Sequence, residues 1–311
     1  MHSIQVCFVG VGSIAKRHIR NLRNICKLRN IDLTIDAFRR GVSEDSVEGI
    51  EHIFYDIEDV PANYDAIFIT NPTEYHLEAL SNFQSKSRNF FIEKPVVSLK
   101  QIEEAKKHEL KRNGIYYVAC PLRYNAVIQH IKKHIDMLDV ISIRCISSSY
   151  LPVWRPGKDY RETYSAHREL GGGVSIDLIH EWDYITYLFG APNQIYHLIG
   201  KKSSLEIDSD DFAIYIAEIA GMTVELHLDY FGRKTIREIQ LFTKDDTIVG
   251  DIANNKITYL VSGKVVDFQE ERDDYQSREL NHFLDMVLGL SPIEDGYRQG
   301  LKVLDLAQGK L

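Results

Sequence analysis

The sequence predicts an α/β Rossmann domain with a parallel sheet, followed by an α+β domain with an open, mainly antiparallel sheet. Three observations predict it. Short apolar strands alternate with helical stretches in the first third, a glycine-rich turn stands directly after the first strand, and longer β-prone stretches follow one another beyond Pro121. With 311 residues, two domains is the default expectation, here 1–120 and 121–311.

The first strand, 3–9, stops at Gly10-Val11-Gly12, and Ile14, Ile19, Leu22 and Ile25 then recur at roughly helical spacing. Further strands are predicted at 33–38, 64–70 (ended by Asn71-Pro72), 89–92 (ended by Glu93-Lys94-Pro95) and 115–120. Between them lie helices at 75–83 and 99–111, the second capped by Ser98. After Pro121 a helix at 126–134 leads into strands at 140–150, 194–200, 212–219, 223–230, 235–242 and 257–264. Breaks at Ala220-Gly221 and Lys244-Asp245-Asp246 read as hairpins, and helices are predicted at 174–189 and 275–288.

Composition narrows the function. Hydrophobic residues at 44% and charged residues at 26% describe an ordinary globular chain. The balance of 37 basic against 45 acidic residues, net −8, argues against a nucleic-acid partner, because phosphate neutralisation needs a basic face. The short runs Lys106-Lys107, Lys111-Arg112 and Lys132-Lys133 read as solvated helix faces. Cys7, Cys26, Cys120 and Cys145 are scattered, with no metal-ligand spacing, so no metal is expected and a reducing compartment fits. No leader-like start and no apolar run of about 20 residues is present, which points to a cytoplasmic protein without a membrane partner.

Gly10-Val11-Gly12-Ser13-Ile14-Ala15 fits G-x-G-x-x-A in the context that motif demands, after a strand and opening a helix. Gly10 permits the tight turn, Gly12 admits a pyrophosphate, and Ala15 keeps the helix close to the sheet. For NAD, an acid is expected at the end of the second strand; the position is Arg39, followed by Arg40. Two guanidiniums suit the 2′-phosphate of NADP. Asp36 would be the acid if the strand is shorter, so NAD stays open.

Lys94, held between Glu93 and Pro95 at a strand's carboxyl edge, is a candidate for hydrogen bonding a substrate hydroxyl. Gly171-Gly172-Gly173 precedes a helix carrying Asp177, His180 and Glu181, which helical spacing would put on one pocket wall. Histidine is the natural base for a hydroxyl proton near neutral pH. Between these motifs, 150–168 is rich in Trp, Tyr and Arg and reads as a long ordered loop. Trp154, Arg155, Tyr160, Arg161 and Tyr164 are its candidate substrate contacts, with rings for sugar faces and Arg for an anionic group. An oligomer contact is the competing reading of this loop.

Gly10 to Ala15, Asn71-Pro72-Thr73 with His76, Glu93-Lys94-Pro95 and Gly171 to His180, in that order and spacing, resemble the Gfo/Idh/MocA oxidoreductase family, the glucose–fructose oxidoreductase and inositol dehydrogenase relatives. The likeness extends from Ile4 to the closing 295–304 segment. It implies a Rossmann domain, a second domain whose exposed sheet face forms a dimer interface, and oxidation or reduction of a carbinol on a sugar or polyol. By the same resemblance Lys94 is the catalytic lysine, and Asn71, Thr73, His76, Glu93 and Arg123 line the nicotinamide side of the cofactor. The family spacing puts the catalytic His four residues after the Asp, where this chain has Glu181, with His180 one residue earlier. An Asp-x-x-His-Glu subgroup resembles oxidoreductases of nucleotide-sugar and nonulosonic-sugar pathways, and the acid/base role stays open between His180 and Glu181. The expected function is an NADP-preferring sugar or polyol dehydrogenase/reductase, a homodimer or homotetramer. The alternatives are oxidation-coupled elimination or epimerisation with recycled cofactor, and a nucleotide-binding regulator without turnover.

Overall fold

The computed structural model describes residues 2–41 and 47–311. In chain order the elements begin β1 (His2–Val9), α1 (Ser13–Leu28), β2 (Ile31–Phe38), β3 (His52–Phe54), β4 (Ala66–Ile69), α2 (His76–Phe83), β5 (Asn89–Ile92), α3 (Ile102–Lys107) and β6 (Ile115–Val118). There follow α4 (Ala126–His134), β7 (Val140–Tyr150), α5 (Val174–Asp177), α6 (His180–Phe189), β8 (Gln194–Gly200), β9 (Phe212–Ile219), β10 (Met222–Asp229), β11 (Phe231–Thr243), β12 (Thr247–Asp251), β13 (Lys256–Tyr259) and β14 (Val265–Asp267). The chain closes with α7 (Arg272–Val287) and α8 (Gly296–Ala307).

Two compact units result: one reaching Ala119 together with Arg272–Leu301, and one of Cys120–Glu271 together with Lys302–Leu311. The first holds a parallel six-stranded sheet in the order β3-β2-β1-β4-β5-β6. β4, β5 and β6 are buried along their whole length because both faces of the sheet are covered there. On one face Phe8, Phe68, Phe91 and Tyr117 pack with Ala15, Ile19 and Leu22 of α1 and with Leu280, Phe283 and Leu284 of α7. The Phe283 ring meets Phe68, Phe91 and Tyr117 with centroids 5.3–5.9 Å away. The second-domain expectation of 121–311 therefore differs from the structure at 272–301. That segment carries an apolar face that fills the first sheet's uncovered side.

The second unit holds an eight-stranded sheet, β14-β13-β12-β11-β7-β10-β9-β8, antiparallel except for the β7–β10 pair. Its buried face carries Cys145, Tyr215, Leu226 and Ile239. Three expectations change here. The helix predicted at 99–111 ends at Lys107, although Ser98 does form its capping box with Gln101. The helix predicted at 174–189 is interrupted after Asp177, and the strand predicted at 257–264 splits at a turn after Tyr259.

Phe283→Ala is expected to destabilise the protein by about 3–5 kcal/mol, because it empties a fully buried aromatic site. Urea unfolding followed by tyrosine and tryptophan fluorescence checks this. A loss below about 1 kcal/mol would deny α7 its covering role.

Candidate functional site

The first unit opens a cavity of about 740 Å³ where β1 separates β2 from β4, the position at which open α/β sheets bind ligands. Gly10, Val11, Arg39, Arg40, Tyr55, Asp56, Asn71 and Tyr75 are among its lining residues. Gly10 adopts φ +91°, and a Cβ there would lie 2.8 Å from the Asn71 backbone. Nothing lies within 4 Å of a Cβ built on Gly12, which caps α1, so an anion can reach that helix end. Ser13 and Ile14 open the helix, and Ala15 is fully buried against the sheet.

β2 runs through Asp36 to Phe38, and Asp36 is 1% exposed. Its carboxylate accepts from Tyr64 Oη at 2.7 Å and Gln5 Nε2 at 3.1 Å, with His52 Nδ1 at 3.1 Å. It is thus enclosed, and the strand-end position belongs to Arg39. Arg39 Nη1 is buried with no hydrogen-bond partner, and so is Asn71 Oδ1. Two orphaned polar groups lining one cavity fit a nucleotide with phosphate and hydroxyl groups. Arg40 instead lies over the Tyr75 ring at 4.3 Å and pairs with Glu78 at 2.5 Å. Sequence reasoning missed Asp56 and Tyr55, which lie on an irregular segment with no motif.

Lys94 follows β5, preceding a cis Pro95. Glu93 meets His18 Nε2 at 2.5 Å and also accepts from the Lys94 backbone N–H at 3.3 Å. Burial pushes the Glu93 carboxyl up, but the His18 bond and the charges of His18, Lys94 and His76 outweigh it and hold it below the usual range. His76 is 2% exposed, with Nδ1 3.0 Å from the Pro95 carbonyl and Nε2 2.9 Å from the Asn71 carbonyl. Burial lowers its pKa, against the opposing pull of those carbonyls and Glu93. Both ring nitrogens of His76 therefore face main chain, contrary to the expectation that it lines the cofactor. Thr73 stands in the short turn before α2, partly exposed.

In the second unit the glycine triplet approaches the chain itself. A Cβ on Gly172 would lie 2.1 Å from the Tyr164 carbonyl, and one on Gly173 2.3 Å from Asp210. Between α5 and α6, Ile179 N–H bonds Ile176 O and Glu181 N–H bonds Leu178 O, a three-residue step that breaks the α-helical ladder. Asp177, His180 and Glu181 consequently do not share one regular helix face. Asp177 is nearly buried and accepts from Tyr230 Oη, and the Tyr164 hydroxyl also bonds it. Burial, reinforced by the Asp177 charge, raises the Tyr230 pKa well above its ordinary value. His180 opens α6 partly exposed. Glu181 is 0% exposed and forms an ion pair with Arg237 of β11 at 2.7 Å. Burial raises its pKa, with Arg237 opposing. The candidate acid/base role for Glu181 is thus at odds with its enclosure: it ties α6 to the sheet.

The 150–168 loop does converge on Asp177. The Trp154 ring meets Tyr230 edge-on at 5.2 Å while its Nε1 donates to Ser149 Oγ, and Arg155 lies 4.9 Å over Tyr164. Among the described residues no carboxylate forms an ion pair with Arg155. Arg161 differs, since Asp159 (2.6 Å) and Glu206 (3.0 Å) neutralise it. The Tyr160 hydroxyl accepts from the Glu206 backbone N–H. Arg123, an expected cofactor contact, gives its fork to Asp183 at 2.6 and 2.9 Å. Among the described residues no cluster could hold a metal ion, and no helix is long and apolar enough to cross a membrane.

Residues 4–120 match the Gfo/Idh/MocA model, described as an oxidoreductase family with an NAD-binding Rossmann fold. Over this segment, which is less than half of its length, the chain is similar to that family. It is 26% identical over 188 residues to the uncharacterized oxidoreductase YrbE of Bacillus subtilis, covering 59% of this chain and 53% of that protein, about half its length. It is 23% identical over 316 residues to scyllo-inositol 2-dehydrogenase (NAD(+)) of the same organism, covering 94% and 89%. UDP-N-acetylglucosamine 3-dehydrogenase GnnA from Acidithiobacillus ferrooxidans shares the fold, with a TM-score of 0.75 at 20% identity over 100% of this chain and 97% of that one.

Glu181→Ala is expected to cost about 3 kcal/mol, the low end for breaking a buried pair because the Arg237 side chain is 25% exposed. Glu181→Gln should keep turnover if the residue only anchors α6. Denaturant unfolding and steady-state assays check both, and a Gln variant that folds normally but is inactive would restore a proton-transfer role.

Proposed function

We propose that this protein is an NADP-preferring oxidoreductase that transfers a hydride between nicotinamide and a carbinol or carbonyl carbon of a sugar, polyol or nucleotide sugar. It works in the cytoplasm as a homodimer or homotetramer. The observation that carries the reading is Arg39, whose Nη1 is buried and unpartnered in the cavity beside the glycine turn. A 2′-phosphate supplies the acceptor that this guanidinium lacks. The carbinol chemistry is supported by the inositol and nucleotide-sugar dehydrogenases to which the chain is similar.

Bound nicotinamide supplies the hydride acceptor or donor. Lys94 hydrogen-bonds the reacting oxygen, and His180, with Asp177 close in the same segment, exchanges its proton. Trp154, Tyr160 and Tyr164 offer ring faces to the sugar, and Arg155 takes a carboxylate or phosphate on it. Arg161 holds the loop through Asp159 and Glu206. Self-association is supported by Tyr196, Leu198 and Ile216, large apolar side chains exposed on β8 and β9.

Steady-state kinetics with both cofactors should favour NADP. Arg39→Ala should lower kcat/KM for NADP about 10- to 100-fold and spare NAD, the effect of one charged hydrogen-bonding group. A wild-type preference for NAD would reject the arginine argument. A panel of sugars and nucleotide sugars, followed by nicotinamide absorbance, should give turnover that Lys94→Ala and His180→Ala each lower about 100-fold or more. An anionic substrate should lose affinity with Arg155→Ala and keep it with Arg161→Ala. Cofactor binding without turnover across the panel would instead favour a regulator.

A further inference from the structure

Two buried histidines from different helices grip the residues on either side of Lys94. His18, 1% exposed on α1, holds the Glu93 carboxylate through Nε2 at 2.5 Å, and the other Glu93 oxygen receives the Lys94 backbone N–H at 3.3 Å. His76, at the start of α2, faces the Pro95 carbonyl at 3.0 Å and the Asn71 carbonyl at 2.9 Å. One side chain thus fixes the residue before the lysine and the other fixes the residue after it.

Packing alone is a poor reason for histidine at these positions. The His18 ring lies edge-on to Phe91 at 5.1 Å, a site that an apolar side chain would fill, and its Nδ1 is buried with no partner. An unsatisfied buried nitrogen costs about 1–3 kcal/mol. What the ring supplies in return is a donor to Glu93, which a phenylalanine or leucine would not. His76 likewise stands between two main-chain carbonyls at the ends of neighbouring strands, one of them on a residue that lines the nucleotide cavity, and as a neutral imidazole it donates its single N–H to one of them. Lys94 has a long side chain, so its ammonium can be aimed only if the backbone beneath it is fixed.

We infer that His18 and His76 are positioning residues for Lys94, acting through the Glu93 carboxylate and the Pro95 carbonyl. The inference rests on the proposed role of Lys94 in hydrogen bonding the reacting oxygen. It couples α1, through His18, and the start of α2, through His76, to the placement of that ammonium.

The test uses the full-length enzyme with its cofactor. His18→Ala and His76→Ala should each lower kcat about 10- to 100-fold, the size expected of a misplaced group. His18→Ala should leave the cofactor Kd, read by fluorescence, unchanged. His18→Gln and His76→Gln, which keep an N–H donor of similar reach, should recover most of the loss. In a Lys94→Ala background the same alanine changes should add little, because residues that act as a unit are not additive. Losses that multiply in that background would assign the histidines a general structural role and overturn the inference. So would normal kcat in both alanine variants while Lys94→Ala is inactive. Normal kcat in Lys94→Ala would remove the role of Lys94 itself and the clamp with it. If the alanine variants do not fold, asparagine at each position, with a donor of shorter reach, gives the same comparison.

Discussion

A parallel sheet must be covered on both faces, and much of this molecule follows from how that is met. β1 lies between β2 and β4, so the connections leaving its two sides diverge and a crevice opens at the carboxyl ends. Alternation along the strands then sends Phe8, Phe68, Phe91 and Tyr117 to one face, and Ile67, Phe90 and Val118 to the other. The first group needs α1 and α7 together. The second meets the glycine side of α8, where a Cβ on Gly300 would come within 3.1 Å of Val118.

In the second unit the same logic of enclosure separates residues that look alike in sequence. Asp177 and Glu181 are both acids on one short segment, yet one receives tyrosine hydroxyls and the other an arginine. The break between α5 and α6 makes this possible by changing the helical phase between them. Arg155 and Arg161 divide in a parallel way. A stacked guanidinium keeps its hydrogen-bonding capacity for a ligand, whereas one closed by two carboxylates becomes part of the loop's own frame.

Local features were the legible part of the sequence. The glycine turn, the boundaries of β5 and β7, α4 and the cap at Ser98 follow from periodicity and punctuation within a few residues. The strand-end position of Arg39 was readable as well, but the burial of Asp36 was not, since it depends on Tyr64, Gln5 and His52 arriving from other elements. β3 and β12 are short, three and five residues, too few for a pattern to mark them. The return of α7 to the first sheet was equally hidden, because an amphipathic helix does not say which surface it covers. His18 gave no signal as one histidine inside a helical repeat. Its meaning comes from Glu93, 75 residues away.

The division of the chain has a consequence for how the protein is made. The first six strands are complete at Val118, but the helix that covers the Phe68–Phe91–Tyr117 face begins only at Arg272. During synthesis the nucleotide-binding half therefore leaves the ribosome with an aromatic face open, and it stays open while the whole second unit is translated. Until α7 is made, α1 alone packs on that face, and the remaining apolar surface favours association. A premature stop before α7 would yield a fragment that contains every residue of the glycine turn and the Lys94 corner, yet is prone to aggregate rather than to bind nucleotide.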